Sequence, residues 1–412
     1  MSEDGALLYL KFGKYSSATD YSSTAPTLVD MLPDGGRDSF GSRSPIVLAR
    51  DPSHPSNRRF PGVRGPTDLS KPVTPEFIVH GLSGNNGGAI TPSAATDLSQ
   101  MLDVLFGIAS VDPAGAATTV TGGTGSTPNL TVASGAGIPN GMVVGFSTDT
   151  DGFIMRQVRS GGGTGTLVLD RTYSGTPSGT VIRLARWVFD PSVLQHAHGY
   201  FRAEWANWRR DFWAALGTGR FDLTNGQYVK LLTSWMFSGC DDVAEANPTF
   251  TEQTRGSALV STNAAFYIGN AQLFATDISV EIGGDVRARP SFDGTNGVKG
   301  YASFKGPGTP RPKIACKLYR GTGTGEVADS TGTPSLNTLQ GTGLDLGAAK
   351  TALDIAVAVG RAAAGLGYWV MRGAECVKAD DIEVDGYQMI DCEFLGNSAS
   401  PSSYYPLEFH LG

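Results

Sequence analysis

The sequence predicts a mainly β protein with a flanking α-helix, a long N-terminal arm and a small inserted β domain. The 412 residues include 55 Gly and 23 Pro, and turn-forming residues separate short apolar segments, as between successive strands. Apolar and polar residues alternate in 277–286 and again in 381–385, the pattern of strands with one buried face. Asn225-Gly226 and Asp385-Gly386 are typical hairpin turns and mark where such strands reverse.

Residues 1–75 are predicted to form an N-terminal strand, at 6–12, and then an extended arm. Periodicity disappears between residues 13 and 75, and a structureless stretch of this length is uncommon inside a compact domain. Arginine suits bidentate ion pairs, so one interpretation is a basic arm that lies against an acidic neighbour; a plain loop is the alternative. The candidate arm residues are Arg37, Arg43, Arg50, Arg58, Arg59 and Arg64.

A helix is predicted at 98–106, followed by a small inserted domain at 114–186. The helix has apolar residues at helical spacing, with Ser93 or Thr96 as its N-cap and Gly107 as its stop. The insert shows five or six short strands separated by turns about every 8–12 residues, which predicts a small barrel or sandwich. Residues 76–113 and 187–412 are then expected to form the main domain.

Two segments of the main domain are ambiguous between helix and strand. Phe201, Trp205, Trp208 and Phe212 recur at helical spacing and predict a helix that ends at Gly217. Such aromatic stripes usually lie in a core or at a subunit interface, so Trp205, Trp208 and Phe212 are candidate interface residues, with stacking on bases or sugars as the alternative. The alanine-rich segment after residue 350 favours helix by propensity, but the alternation in 353–359 favours two strands.

Composition and motifs favour a structural role over an enzymatic one. The net charge of −7 argues against a protein that holds nucleic acid through phosphate contacts. His196 and His198 lack a third metal ligand, and the glycine-rich runs 160–166 and 321–325 lack the context of a phosphate-binding loop. We therefore expect no enzyme activity, no cofactor and no metal site.

The cysteines and the apolar runs add two expectations. Cys240, Cys316, Cys376 and Cys392 have no metal-site spacing and are expected to be isolated, mostly buried thiols. No apolar run has the length of a membrane span or the features of a secretion signal. We therefore expect a soluble protein made in the cytosol.

Taken in order, several segments resemble the major tail tube proteins of long-tailed, siphovirus-like bacteriophages. The resemblance spans most of residues 75–396 and rests on the succession of segments, since no single motif is diagnostic. The segments are PSAATDLSQMLDVLFG, GTGTLVLDRTYSGTPSGTVIRLARW, GRFDLTNGQYVKLLTSWMFSG, ISVEIGGDVRARPSFDGTNGVKGYASFKG and ADDIEVDGYQMIDCEFLG. The resemblance implies a tail-tube β-sandwich or barrel with a flanking helix and a long arm or loop. Such subunits form stacked hexameric rings around a DNA channel; a fused subunit forming trimeric pseudo-hexamers remains open.

The resemblance also implies candidate lining residues for the channel. Lysine and arginine contacts hold DNA phosphates, whereas carboxylates repel DNA over a screening length of ~8 Å, so an acidic bore would let DNA pass. The candidate lining residues are Asp277, Glu281, Asp381, Glu383 and Asp385. An ordinary solvated face is the alternative for these residues.

The partners implied by the resemblance are other copies of this chain and further tail proteins. These are the terminator, the tape measure protein and the baseplate, with genomic DNA passing through the lumen without specific binding and no membrane involved. The expected location is the virion tail, after synthesis in the host cytoplasm. Two other functions remain open: a β-rich carbohydrate-binding or depolymerising virion protein, and another ring-forming tail part such as a terminator or baseplate adaptor.

Overall fold

The computed structural model describes most of the chain. The described residues are 9–16, 23–40, 72–82, 97–107, 111, 117–124, 126–192, 198–244, 248–251, 255–290, 298–304, 310–329, 334–340, 352–360, 365–397 and 405–412. Within them the chain forms 24 strands and two α-helices, so the prediction of a mainly β protein is confirmed.

The N-terminal part contributes three strands and one α-helix to the main domain. They are β1 (Tyr9–Lys14), β2 (Val29–Met31), β3 (Glu76–Ile78) and α1 (Asp97–Phe106). α1 confirms the predicted helix, and its apolar side is buried against the sheets. Gly107 ends it with a φ of 85°, which glycine adopts without strain, and its N–H donates to the Asp103 carbonyl at 2.9 Å. The candidate N-caps Ser93 and Thr96 lie outside the described residues.

The prediction of a structureless arm is wrong for residues 29–40. β2 pairs with β1, and a 3-10 helix at Arg37–Phe40 follows it. The Phe40 ring is fully buried and contacts Phe201 and Phe212, so burial of this one ring fixes the segment to the main domain. Phe201 and Phe212 lie far along the chain from Phe40, which is why local sequence patterns did not show this contact.

Six short strands form a closed barrel, as the sequence predicted for the inserted segment. They are β4 (Thr118–Thr124), β5 (Asn129–Val132), β6 (Val143–Thr148), β7 (Gly152–Ser160), β8 (Thr166–Leu169) and β9 (Pro177–Arg183). They pair in the order β4-β5-β8-β7-β6-β9 and enclose their own core, in which Leu130, Phe146 and Leu167 are fully buried. Closure leaves the barrel no open strand edge.

The remaining strands and the second helix complete the main domain. The first group is β10 (Ala185–Phe189), β11 (Gly199–Glu204), β12 (Trp208–Leu223), β13 (Lys230–Met236), β14 (Gly239–Ala244), β15 (Ala265–Ile268), β16 (Ala271–Leu273) and β17 (Ala275–Glu281). The second group is β18 (Asp285–Pro290), β19 (Val298–Phe304), β20 (Lys313–Tyr319), α2 (Leu336–Gln340), β21 (Leu353–Val359), β22 (Gly367–Val384), β23 (Tyr387–Leu395) and β24 (Leu407–Leu411).

Two long strands, β12 and β22, join three parts of one large sheet. The front sheet has the order β3-β13-β12-β17-β20-β23-β22, using residues 216–223 of β12 and 375–384 of β22. The back sheet has the order β16-β15-β21-β22-β24-β10, using residues 367–374 of β22. The side sheet has the order β2-β1-β11-β12-β14.

The front and back sheets face each other across an aromatic core. The ring of Phe221, on the front sheet, lies 5.3 Å from Trp369 and 4.7 Å from Phe409, both on the back sheet. Trp369 and Phe409 also stack on each other at 4.8 Å, and all three side chains are fully buried. Burial of these large rings stabilises the face-to-face arrangement, because each removes about 150–250 Å² from water.

The helix predicted to end at Gly217 is wrong, because this segment forms the β11–β12 hairpin. Phe201 and Phe212, taken as neighbours on a helix, are instead direct cross-strand partners. Nearly every residue of β11 is buried, so the strand shows no alternation to distinguish it from a helix. The other two strand predictions are confirmed: β21 pairs with β22, and the hairpins at 225–226 and 385–386 form.

Candidate assembly surfaces

The outer face of the front sheet carries the first two candidate lining residues. Along β17, Ile278 and Val280 point into the core, while Asp277 and Glu281 lie on the solvent side. Asp277 sits at a break in register with a φ of 50°, an uncommon conformation for a residue other than glycine. The alternation predicted for this strand is therefore present, with one irregularity at its start.

Basic side chains from neighbouring strands lie beside these carboxylates. Lys317 Nζ donates to Asp277 at 2.7 Å, Lys313 lies 3.1 Å from Glu281, and Arg320 lies 2.7 Å from Asp381. The hydrogen bond and charge of Asp277 raise the pKa of Lys317. Such exposed pairs contribute little to stability, so the main effect of the two lysine pairs is to make the outer face alternate in charge.

An excess of negative charge remains at the turn between β22 and β23. Asp385 and Gly386 both have positive φ, as a tight two-residue hairpin turn requires. Glu383 and Asp385 are exposed, and neither forms an ion pair with another described residue. The candidate lining residues therefore share one sheet but not one face. Asp381 and Leu318 both pair with Ile390, so the carboxylates near this turn lie on the side opposite to Asp277.

The front sheet also has an open edge. Residues 375–384 of β22 pair with β23 on one side and with no other strand among the described residues. α2 lies against β22, yet the side chains of 380–384 are exposed or half-buried. The edge of a sheet is a position at which another strand can be added.

The three candidate interface aromatics occupy very different positions. Phe212 is fully buried and packs on Phe40 and Phe237, so it lies inside the chain rather than on a surface. Trp205 is nearly buried and stacks on the half-buried Trp208, with ring centroids 3.9 Å apart across the hairpin turn. An interface role therefore stays a prediction for Trp208. Phe212 has no exposed surface that could contact another subunit.

Only one of the candidate arm arginines falls within the described residues. The Arg37 guanidinium donates two hydrogen bonds to the carbonyl oxygen of Pro33, at 2.8 and 3.2 Å, which ties it to its own segment. The others lie outside the described residues: Arg43, Arg50, Arg58, Arg59 and Arg64. Their proposed contact with a neighbouring subunit stays a prediction.

A buried polar seam, which the sequence did not reveal, fixes the barrel to the back sheet. Arg171 donates to the Tyr368 hydroxyl at 2.9 Å and to the Gly269 carbonyl at 2.6 Å. Gln157, on β7, donates to the Glu408 carboxylate on β24 at 2.6 Å, although 251 residues separate them. An apolar layer flanks these bonds, so the barrel is docked through a mixed interface rather than tethered by its linkers alone.

Glu408 is the electrostatic centre of this seam. Its carboxylate accepts from Arg186 at 3.0 Å and lies 3.3 Å from His410 Nε2. Burial alone would raise the pKa of Glu408, but Arg186 and His410 outweigh it and lower the pKa to about 2. Burial lowers the pKa of His410, since its charged form would be desolvated. The seam therefore holds an ionised Glu408 at neutral pH.

Three of the cysteines lie together in the core, which corrects the expectation of isolated thiols. Cys316 and Cys392 are direct cross-strand partners on β20 and β23, and Cys376 of β22 lies beside Cys392. All three are buried, and burial raises the pKa of the Cys316 thiol. Cys240 is only half-buried.

We expect one fast-reacting thiol in the native protein. Thiolate is the reactive form, so buried thiols with raised pKa values react slowly, whereas Cys240 is reached by solvent. A chromogenic disulfide reagent at neutral pH should titrate one thiol in the folded protein and four after denaturation. The Cys240→Ser variant is the control and should show none when folded. Fast reaction of Cys316, Cys376 or Cys392 would contradict the burial described above.

Comparisons of this chain with protein families and with curated proteins gave no match. No protein-family model matches it, and no curated protein matches it. Among the described residues, no group of three or more His, Cys, Asp or Glu side chains is arranged to hold a metal ion. None of the helices formed by the described residues is long and apolar enough to cross a bilayer.

Proposed function

We propose that this chain is a self-assembling structural subunit, the tail tube protein of a long-tailed bacteriophage. Copies join side by side into rings, and the rings stack into a hollow tube through which DNA leaves the virion. The observation that carries this proposal is the edge position of β22 in the front sheet, where residues 375–384 pair with β23 and with no other described strand. A strand at the edge of a sheet invites pairing with another chain, and closing a ring of subunits uses every such edge.

The outer face of the front sheet is suited to line the bore. Its carboxylates on β17 and β23 are interleaved with lysines on β20 and β22. A lumen of this kind offers no continuous cationic track for phosphates, so DNA is not held by counterion release. The terminator, tape measure protein and baseplate are the partners that such a tube requires at its ends and inside it.

Exposed tryptophans near carboxylates would favour the carbohydrate-binding alternative. All six tryptophans lie among the described residues, and each is buried or half-buried. The tryptophans therefore give no support to this second function.

Purified protein examined over a range of concentrations tests the proposal. We expect negative-stain electron microscopy to show hollow tubes of constant diameter, and sedimentation to show a steep concentration threshold for their formation. The threshold follows because an open-ended stack of rings grows without a length limit of its own. Protein that remains monomeric at about 100 μM, where ordinary micromolar contacts are saturated, would refute the proposed function.

A further inference from the structure

The back sheet is buried on both of its faces, by two separate apolar clusters. Trp369, Phe409 and Val357 belong to the main core, and the two rings contact the front sheet through Phe221. Tyr368, next to Trp369 in the chain, belongs to a second cluster that includes side chains of the barrel. Successive side chains of a strand point to opposite faces, so the back sheet lies between the front sheet and the barrel.

The barrel meets the back sheet through the wall formed by β6, β7 and β9. Val143 of β6, Met155 of β7 and Ile182 of β9 contribute to the second cluster, and all three are buried. Gln157, also on β7, donates to Glu408 at 2.6 Å. The apolar part of the seam and this buried hydrogen bond therefore involve the same group of neighbouring strands.

The strand order of the barrel places β5 opposite this docked wall. The order β4-β5-β8-β7-β6-β9 closes on itself, because β9 pairs with β4. In a closed ring of six strands each strand faces the strand three places away, so β5 lies across the barrel from β6. β4, β5 and β8 therefore form the side that is remote from the back sheet, and we call it the distal wall.

The distal wall presents small hydroxyl side chains to solvent. Thr119 of β4 and Thr166 of β8 are exposed, and Thr131 of β5 is half-buried. Among the described residues of the barrel, more than half of the exposed ones are Ser or Thr, and the exposed charged residues are Asp149 and Asp151. The centres of protein interfaces are instead rich in Trp, Tyr and Arg, so this surface has the composition of one that stays in water.

These layers have a fixed order across the subunit. The outer face of the front sheet, with Asp277 and Glu281, comes first; the main core, the back sheet and the barrel follow, and the distal wall comes last. The first and last surfaces of one subunit lie at different distances from the axis of a closed ring. If the first surface lines the bore, the last surface faces away from it.

We propose that the distal wall is the exterior surface of the assembled tube and stays in contact with water along the length of the tube. This proposal rests on the proposed function, in which the outer face of the front sheet lines the bore. Subunits then join through the main domain, and the barrel is an added layer of the tube wall. The seam at Glu408 holds this layer to its own subunit.

Two cysteine variants test which side of the subunit lies on the exterior. Both are made in the Cys240→Ser background, in which the remaining three thiols are buried. Thr119→Cys marks the distal wall, and Ser279→Cys marks the outer face of the front sheet. The probe is a maleimide coupled through a linker to streptavidin, which is too bulky to follow DNA into the bore. In tubes we expect Thr119→Cys to react as fast as in free subunits and Ser279→Cys to react at least about tenfold more slowly, because reaction requires access to the thiolate.

Controls separate this assignment from folding and from the proposed function itself. N-ethylmaleimide gives the reactivity of each thiol in free subunits, and electron microscopy checks that each variant forms tubes. Ala315→Cys, at the cross-strand partner of Ser279, marks the same face if Ser279→Cys fails to assemble. Protection of Thr119→Cys in tubes, or unchanged labelling of the front-sheet cysteine there, would overturn the assignment while leaving tube formation intact. Wild-type protein that forms no tubes would instead refute the proposed function.

Discussion

Replacing Val377 by aspartate is expected to abolish tube assembly while leaving the subunit folded. Val377 is 40% exposed and lies in a bulge on the open edge of β22, without a partner residue on β23. In the free subunit the new carboxylate remains in water, so its effect on folding stability should be within about 0.5 kcal/mol. In the ring it would be buried against a neighbouring sheet, and an unpaired buried charge costs several kcal/mol at every subunit contact.

The matched control for this variant is Val111→Asp. Val111 is the same residue type with a similar exposure of 44%, but it bridges to Arg186 on the back sheet, away from the open edge. Tube yield by sedimentation and electron microscopy should be normal for Val111→Asp and lost for Val377→Asp. Normal tubes from Val377→Asp would show that the open edge is not the ring contact.

Local patterns in the sequence predicted those elements whose signal is contained within a few residues. α1 has a helical apolar stripe, β17 alternates, and Asp385-Gly386 forms the turn that this dipeptide favours. The barrel was also predictable, because its turns recur at short and regular intervals. In each case a local pattern and the final packing agree, which is common in natural sequences.

Elements buried on both sides, or shared between sheets, were not predictable in this way. β11 is buried along nearly its whole length, so its aromatic residues match a helix as well as a strand. β12 and β22 each pass from one sheet to another, and the side of the strand that is buried changes along the way. The burial of Phe40 was not predictable either, because the residues it contacts, Phe201 and Phe212, lie far along the chain.

The candidate assembly surfaces, like the secondary-structure elements, were predictable only where the signal lies within a few neighbouring residues. The acidic alternation was visible in the sequence, but the lysines that neutralise much of it come from β20, and only strand pairing brings them close. The exposed aromatic residues Tyr228, Phe274 and Tyr387 were not recognisable as one group, because they are separated along the chain and only strand register places them at one end of the front sheet. Non-local pairing therefore determines both the charge and the shape of the surfaces used for assembly.

Removing the Glu408 carboxylate is expected to cause a large loss of stability, because it is the centre of the seam between barrel and back sheet. Glu408→Ala leaves Arg186, Gln157 and His410 without their common acceptor in a buried site. Removing one partner from a buried charged network typically lowers the free energy of unfolding by about 3–5 kcal/mol. Urea unfolding should show this loss, whereas the control Glu393→Ala, on the outer face of β23, should change the free energy of unfolding by less than about 1 kcal/mol.

The pH dependence of unfolding provides a second measurement on the same carboxylate. The pKa of Glu408 falls from 4.5, its ordinary value, to about 2 in the folded protein, so unfolding binds a proton between these pH values. Its contribution is fully present above pH 4.5 and is lost as the pH falls towards 2, amounting to roughly 3 kcal/mol. Glu408→Gln cannot titrate, so its stability should fall less steeply across this range than that of wild type. Equal slopes for the two proteins would mean that Glu408 is not held ionised by Arg186 and His410, and the seam would then need a different electrostatic explanation.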